Sequence, residues 1–255
     1  MKTLILAILL FSPLGAQSLP VVPLQTSDPD QLAQSLRGKD AISVTDCKAL
    51  DLWECHPDDP TRITDISIRW VQLDDDPELE AILVTEAKDE WAYAAYVFDK
   101  QGPWNLVGSF FDRRFAKDGQ GLIRVQKLTK DSPPLLLVNR DLGGSDSAIF
   151  TTEAFQLREG KLWPVITVTN KEEVSLPPHR VRRQEVLSSP NRLVIHTARE
   201  EPPGHVVQNK CEVLRWDART HTFVPVANEQ MEYCDPKTGK PIPGKSSWAG
   251  LPIYP

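Results

Sequence analysis

Beyond residue 62 the chain goes through one order of events three times: a weak strand, a short continuous apolar run, then a hairpin. The hairpins cover residues 96–107, 155–166 and 213–226. They place Trp104, Trp163 and Phe223 at intervals of 59 and 60 residues. Upstream of each lies an apolar run: Ala81-Ile82-Leu83-Val84-Thr85, Leu135-Leu136-Leu137-Val138-Asn139 and Leu193-Val194-Ile195-His196-Thr197. Weaker strands precede these at 66–73, 122–128 and 184–187. A run that is apolar at every position has no wet face, so each second strand is expected to be buried on both sides. The first strand of each hairpin alternates, which is the pattern of a half-buried strand.

The predicted class is therefore all-β with a short N-terminal helix. It consists of three repeated antiparallel four-strand units, at 63–111, 120–167 and 182–227, within a β domain of 63–234. Four strands per unit suit a propeller blade or a meander within a larger sandwich. The two repeated tryptophans read as packing landmarks of the unit. Residues 17–62 form an N-terminal segment. In it, Asp28 can cap a helix whose first position is Pro29, with Gln31 three residues after the cap. Residues 235–255 hold five of the chain's 22 prolines and are expected to form an extended arm rather than a central strand.

Compartment is read from the chain's start and its cysteines. Lys2, an apolar run from Leu4 to Leu14 and the small residues Gly15 and Ala16 have the layout of a signal peptide over 1–16. No later stretch reaches the length of a membrane-spanning helix. Four cysteines in an exported chain imply disulfides, and pairing of near neighbours gives Cys47–Cys55 and Cys211–Cys234. The expected location is secreted or periplasmic.

A net charge of -6 without a long basic block argues against nucleic acid as a partner. The one basic cluster, Arg180-Val181-Arg182-Arg183, reads as a solvated strand face. Asp141-Leu142-Gly143-Gly144-Ser145-Asp146-Ser147 is Gly-rich but precedes a hairpin, not a helix, so it is no phosphate loop. Neither a zinc-protease spacing nor a nucleophile elbow occurs, and no catalytic residue is assigned. His196 lies in an apolar strand and reads as a satisfied core or edge histidine.

One stretch suggests chemistry: Gln72-Leu73-Asp74-Asp75-Asp76-Pro77-Glu78-Leu79-Glu80. Carboxylates at alternate loop positions can surround a hard cation, which takes several oxygen ligands. Over residues 66–111 the chain resembles the FG-GAP or VCBS-type repeats of β-propellers, whose loop reads D-x-[DN]-G-D-G-x-x-[DE]. The resemblance implies calcium as cofactor, with Asp74, Asp76 and Glu80 on ligand positions, and a propeller used for binding. Gln72 stands in place of the first Asp, and Asp75 and Pro77 in place of the two glycines. The other reading of the loop is an acidic solvated turn. The expected function is an exported binding or interaction module acting on an extracytoplasmic protein or glycan. Its rivals are an extracytoplasmic hydrolase with a dispersed site and a structural envelope protein.

Overall fold

The computed structural model describes residues 28–36, 63–87, 92–102, 104–112, 123–144, 146–245 and 247–248. The signal segment, the Cys47–Cys55 pair and most of residues 17–62 lie outside the described residues. Helix α1 (Pro29–Leu36) starts as its sequence implies, with the Asp30 N–H donating to Asp28 Oδ1 at 2.9 Å.

The rest is mostly β-structure in two antiparallel sheets. The first runs in chain order through β1 (Ile63–Val71), β2 (Glu80–Ala87), β3 (Ala92–Lys100) and β4 (Trp104–Asp112). The second begins with β5 (Ile123–Gln126), β6 (Leu135–Asp141), β7 (Ser147–Arg158) and β8 (Lys161–Val174). It continues, also in chain order, through β9 (Arg180–Ser189), β10 (Arg192–Glu200), β11 (Val206–Asp217) and β12 (Thr222–Pro225). A 3₁₀ turn (Ala227–Glu229) and the short helix α2 (Gln230–Tyr233) follow, and β13 (Ser247–Trp248) pairs with β9. The predicted Cys211–Cys234 disulfide is formed, with a Cα–Cα distance of 5.8 Å, and ties the end of α2 to β11.

The strands stack in layers, because the continuous apolar runs supply side chains to both faces. In β2, Ala81 and Leu83 join an outer cluster with Ala33 of α1, Tyr96, Phe98 and Trp104. The intervening Ile82 and Val84 point the other way, into a second cluster with Ile123, Leu136 and Val138 of the next sheet. Strand β6 repeats the division: Leu135 and Leu137 join Val186, Leu193, Ile195 and Phe223 in a third cluster. In β10, Val194 faces a fourth, with Val213 and the disulfide. Apolar layers thus lie on either side of β5–β8. Beyond the pairing of β8 with β9, hydrogen bonds that tie β5–β8 to β9–β12 include Lys130 N–H to Pro190 O at 2.6 Å, Thr169 N–H to Gln184 Oε1 at 2.7 Å, and Thr222 Oγ1 to Val165 O at 3.1 Å.

Three expectations need correction. The first strand of the hairpin at 96–107 has no wet face: in β3 Ala94, Tyr96 and Phe98 are buried on one side and Ala95 and Val97 on the other. The second and third predicted units are not separate blades, and within the described residues neither sheet closes on itself. Instead, β8 continues past the predicted end of its hairpin and pairs with β9, setting Lys171 opposite Arg183 and Glu172 opposite Arg182. Past the buried Val168 the stretch 169–174 is mostly polar and does not read as a core strand, yet Glu172 faces Arg182 across the ladder. Trp163 is likewise no core landmark. It is 43% exposed and lies under the Arg158 guanidinium at 5.0 Å, whereas Trp104 and Phe223 are buried. The turns also differ in length. The closing pairs are Lys100 with Trp104, Arg158 with Lys161 and Asp217 with Thr222, so the three aromatics occupy different register positions.

Candidate functional site

The acidic loop spans the turn from β1 to β2, and what fixes its shape is Gln72. Its side-chain amide donates to the carbonyls of Asp74 at 2.9 Å and Asp76 at 2.6 Å, with Glu78 O at 3.4 Å. Gln72 therefore gathers the loop from within through its amide nitrogen. Asp74 and Asp76 each accept the N–H two residues ahead, from Asp76 at 3.0 Å and Glu78 at 2.8 Å. These short-range bonds curl the chain where the propeller-repeat pattern relies on glycine. Glu80, the first residue of β2, reaches back to accept the Leu73 N–H.

This folding brings together the three predicted ligands and adds a fourth that the sequence reading missed. One carboxylate oxygen from each of Asp74, Asp76, Glu80 and Asp99 lies within 4.8 Å of all the others. Asp99 comes from the end of β3. The register that sets Ala81 opposite Phe98 carries Glu80 alongside it. Its burial follows from Tyr96, Val97 and Phe98, which are buried on alternating faces immediately before it. An Asp that continues such a run onto the Val97 side was the available signal.

Glu80 and Asp99 are each only 1% exposed, and among the described residues none of the four carboxylates is ion-paired with Lys or Arg. Neither oxygen of Asp99 meets a donor at hydrogen-bonding geometry. The Gln101 side chain and the Lys100 N–H lie near enough to offset its burden only in part. Burial pushes the Glu80 carboxyl up to about 7, with the charges of Asp74 and Asp99 adding to the effect. Burial likewise raises Asp99, helped by Asp74 and Asp76, and it raises Asp74, helped by Asp76 and Asp75. Four convergent acids with no counter-charge among the described residues are a high-energy arrangement unless protons or a cation neutralise them.

The donor set is all oxygen, which suits calcium or magnesium rather than a thiolate- or imidazole-seeking metal. Two oxygens on opposite sides of one calcium ion stand at most about 5 Å apart. The mutual spacing in this cluster falls within that limit.

Elsewhere, His196 is occupied, with Nε2 at 3.2 Å from Asn209 Oδ1 and Nδ1 at 3.7 Å from Glu185. The Gly-rich segment closes on itself as the β6–β7 turn: Asp141 Oδ1 accepts the Gly143 N–H and Ser147 O accepts that of Gly144. A Cβ at Gly143 would stand 2.7 Å from Ser147 O, so that glycine serves the turn. No helix among the described residues is long and apolar enough to cross a membrane. No protein-family model matches the sequence, and neither a curated protein nor a solved structure matches it.

Proposed function

We propose that this chain is an extracytoplasmic binding module whose first sheet is locked by a calcium ion held between Asp74, Asp76, Glu80 and Asp99. The observation that carries the reading is Asp99: a buried carboxylate, offset only in part by Gln101 and the Lys100 N–H, with an oxygen within 4.8 Å of those of three other acids. A divalent cation would satisfy all four at once and would join the β1–β2 loop to the end of β3. The bond from Glu80 to the Leu73 N–H leaves its second oxygen available to the ion. Export is supported by the signal-like N-terminus and by the Cys211–Cys234 disulfide, which fits an oxidising compartment.

In the same reading the three four-strand meanders, the second and third of them joined in one sheet, are copies of one unit. Their shared strand order and their doubly buried second strands support this. The absence of any catalytic signature in the sequence favours binding over hydrolysis.

Diffraction from crystals grown with and without calcium tests the site. With calcium, one peak is expected at roughly 2.3–2.6 Å from oxygens of all four residues. A calcium-grown crystal in which these carboxylates contact only one another and water would refute it.

A further inference from the structure

The basic cluster of β9 divides between two faces, as strand geometry requires. Arg183 turns to Glu200 at 3.3 Å. Arg180 and Arg182, on the opposite face, line a cavity of about 300 Å³ together with Glu172, Val181, Arg199 and Gln208. Four of these residues form one row across four strands. Glu172 of β8 stands opposite Arg182 of β9, Arg182 opposite Arg199 of β10, and Arg199 opposite Gln208 of β11.

Like charges placed directly opposite in a ladder destabilise it, and here two guanidinium groups occupy the centre of the row. The neutralisation around them is incomplete. Arg199 pairs with Glu201 at 2.7 Å, and Arg180 stands 3.8 Å from Glu172. Arg182 has no acidic partner among the described residues. This concentration of cations belongs to a chain whose net charge is -6, so it is a local feature and not a consequence of composition. The same face of the same strands is apolar further along, at Val186, Leu193 and Ile195. The polar row thus sits where the space between two packed layers opens outward.

We infer that this cavity binds a compact oxyanion, a carboxylate or phosphate group of a small ligand, clamped between Arg182 and Arg199. A guanidinium offers two parallel N–H donors to such a group. Two of them facing each other lose their mutual repulsion when a negative charge lies between. Gln208 adds a neutral donor at one end of the row, and Glu172 at the other end disfavours an anion extended in that direction. The volume is at the lower end of the range for small-molecule sites. This inference deepens the reading of the chain as a binding module by naming a ligand class. It shares no residue with the carboxylate cluster.

The test is calorimetric titration of the full chain with inorganic phosphate and, separately, with citrate, in chelator and at constant ionic strength set with chloride. Saturable binding of at least one of the two is expected at concentrations up to about 10 mM, and which one binds distinguishes a phosphate-bearing from a carboxylate-bearing ligand. Arg182→Gln should weaken it about tenfold or more. Arg182→Lys, which keeps the charge but not the fork, should give an intermediate loss. Arg219→Gln, on the exposed β11–β12 turn, should leave it unchanged. Melting curves confirm that each variant is folded, and Arg199→Gln replaces Arg182→Gln should the latter not fold. Lack of saturable binding by either anion would overturn the inference, as would equal losses in Arg182→Gln and Arg219→Gln. Because chelator is present throughout, either result leaves the calcium reading standing or falling by its own test.

Discussion

Calcium is expected to raise the melting temperature of chelator-treated protein by about 5–10 °C. The estimate follows from linkage: with a dissociation constant on the order of 10⁻⁴ M, as in the tighter extracellular modules, calcium at a hundredfold excess stabilises by about 2.7 kcal/mol. For a domain of this size each kcal/mol is worth roughly 2–4 °C. Asp99→Asn should show the opposite pair of behaviours. In chelator it should melt higher than wild type, by about 1–3 kcal/mol of stability, because an unpartnered buried charge has been removed. Added calcium should then shift it little.

The pH dependence carries a sign that can also be checked. Folded Glu80 has its carboxyl pushed to about 7, above its ordinary value of 4.5, so between these values the native state binds more protons than the unfolded chain. Stability due to this group is fully present below about pH 4.5 and is lost as pH rises through 7, by on the order of 2 kcal/mol. The calcium shift should therefore be larger near pH 8 than near pH 5.5, since protons no longer compete for the site. A wild-type melting temperature indifferent to millimolar calcium at both values would return the loop to an acidic turn.

The second large effect lies in the layered core. Leu136 and Leu137 are neighbours in β6, yet they belong to different apolar clusters, one shared with β1–β4 and the other with β9–β12. Both are almost wholly buried. Each replacement by Ala is expected to cost about 2–5 kcal/mol in urea unfolding, through lost burial and the cavity left behind. In a strand with one wet face the two costs would differ sharply, with one of them within roughly 0.5 kcal/mol of zero. Such a disparity would show that β6 is not sandwiched.

Strand positions were legible wherever local chemistry decided them. The runs at Ala81, Leu135 and Leu193 read as doubly buried, and they are; the hairpin of 155–166 is formed, and its two turn residues, Glu159 and Gly160, both have the positive φ that such a loop requires. What escaped depended on partners distant in sequence. The pairing of Lys171–Val174 with Arg180–Val181-Arg182-Arg183 joins segments that, taken alone, look like solvated polar stretches. For that reason β9 appeared to begin a new unit. The register of the aromatics escaped too, because turns of different length shift Trp163 relative to Trp104 and Phe223 along their strands.

The site divided in the same way. Asp74, Asp76 and Glu80 are close in sequence, and their spacing predicted a shared loop that the fold does bring together. Asp99 lies on another strand and reaches them only through the β2–β3 register. The inward turn of Gln72 was likewise invisible, since a side-chain amide at a ligand position offers both an oxygen to a cation and donors to the backbone. Only the surrounding carbonyls decide between them.

The central claim is that four carboxylates, Asp99 among them, form one cation site. Equilibrium dialysis with radioactive calcium tests it most directly, on the full chain at neutral pH. One ion per chain should bind to the wild type, with magnesium competing poorly because it demands shorter bonds and a stricter geometry. Asp99→Asn should lower the affinity about tenfold or more, a loss of at least roughly 1.4 kcal/mol. Undiminished binding in Asp99→Asn, or no saturable binding by the wild type at millimolar calcium, would contradict the account.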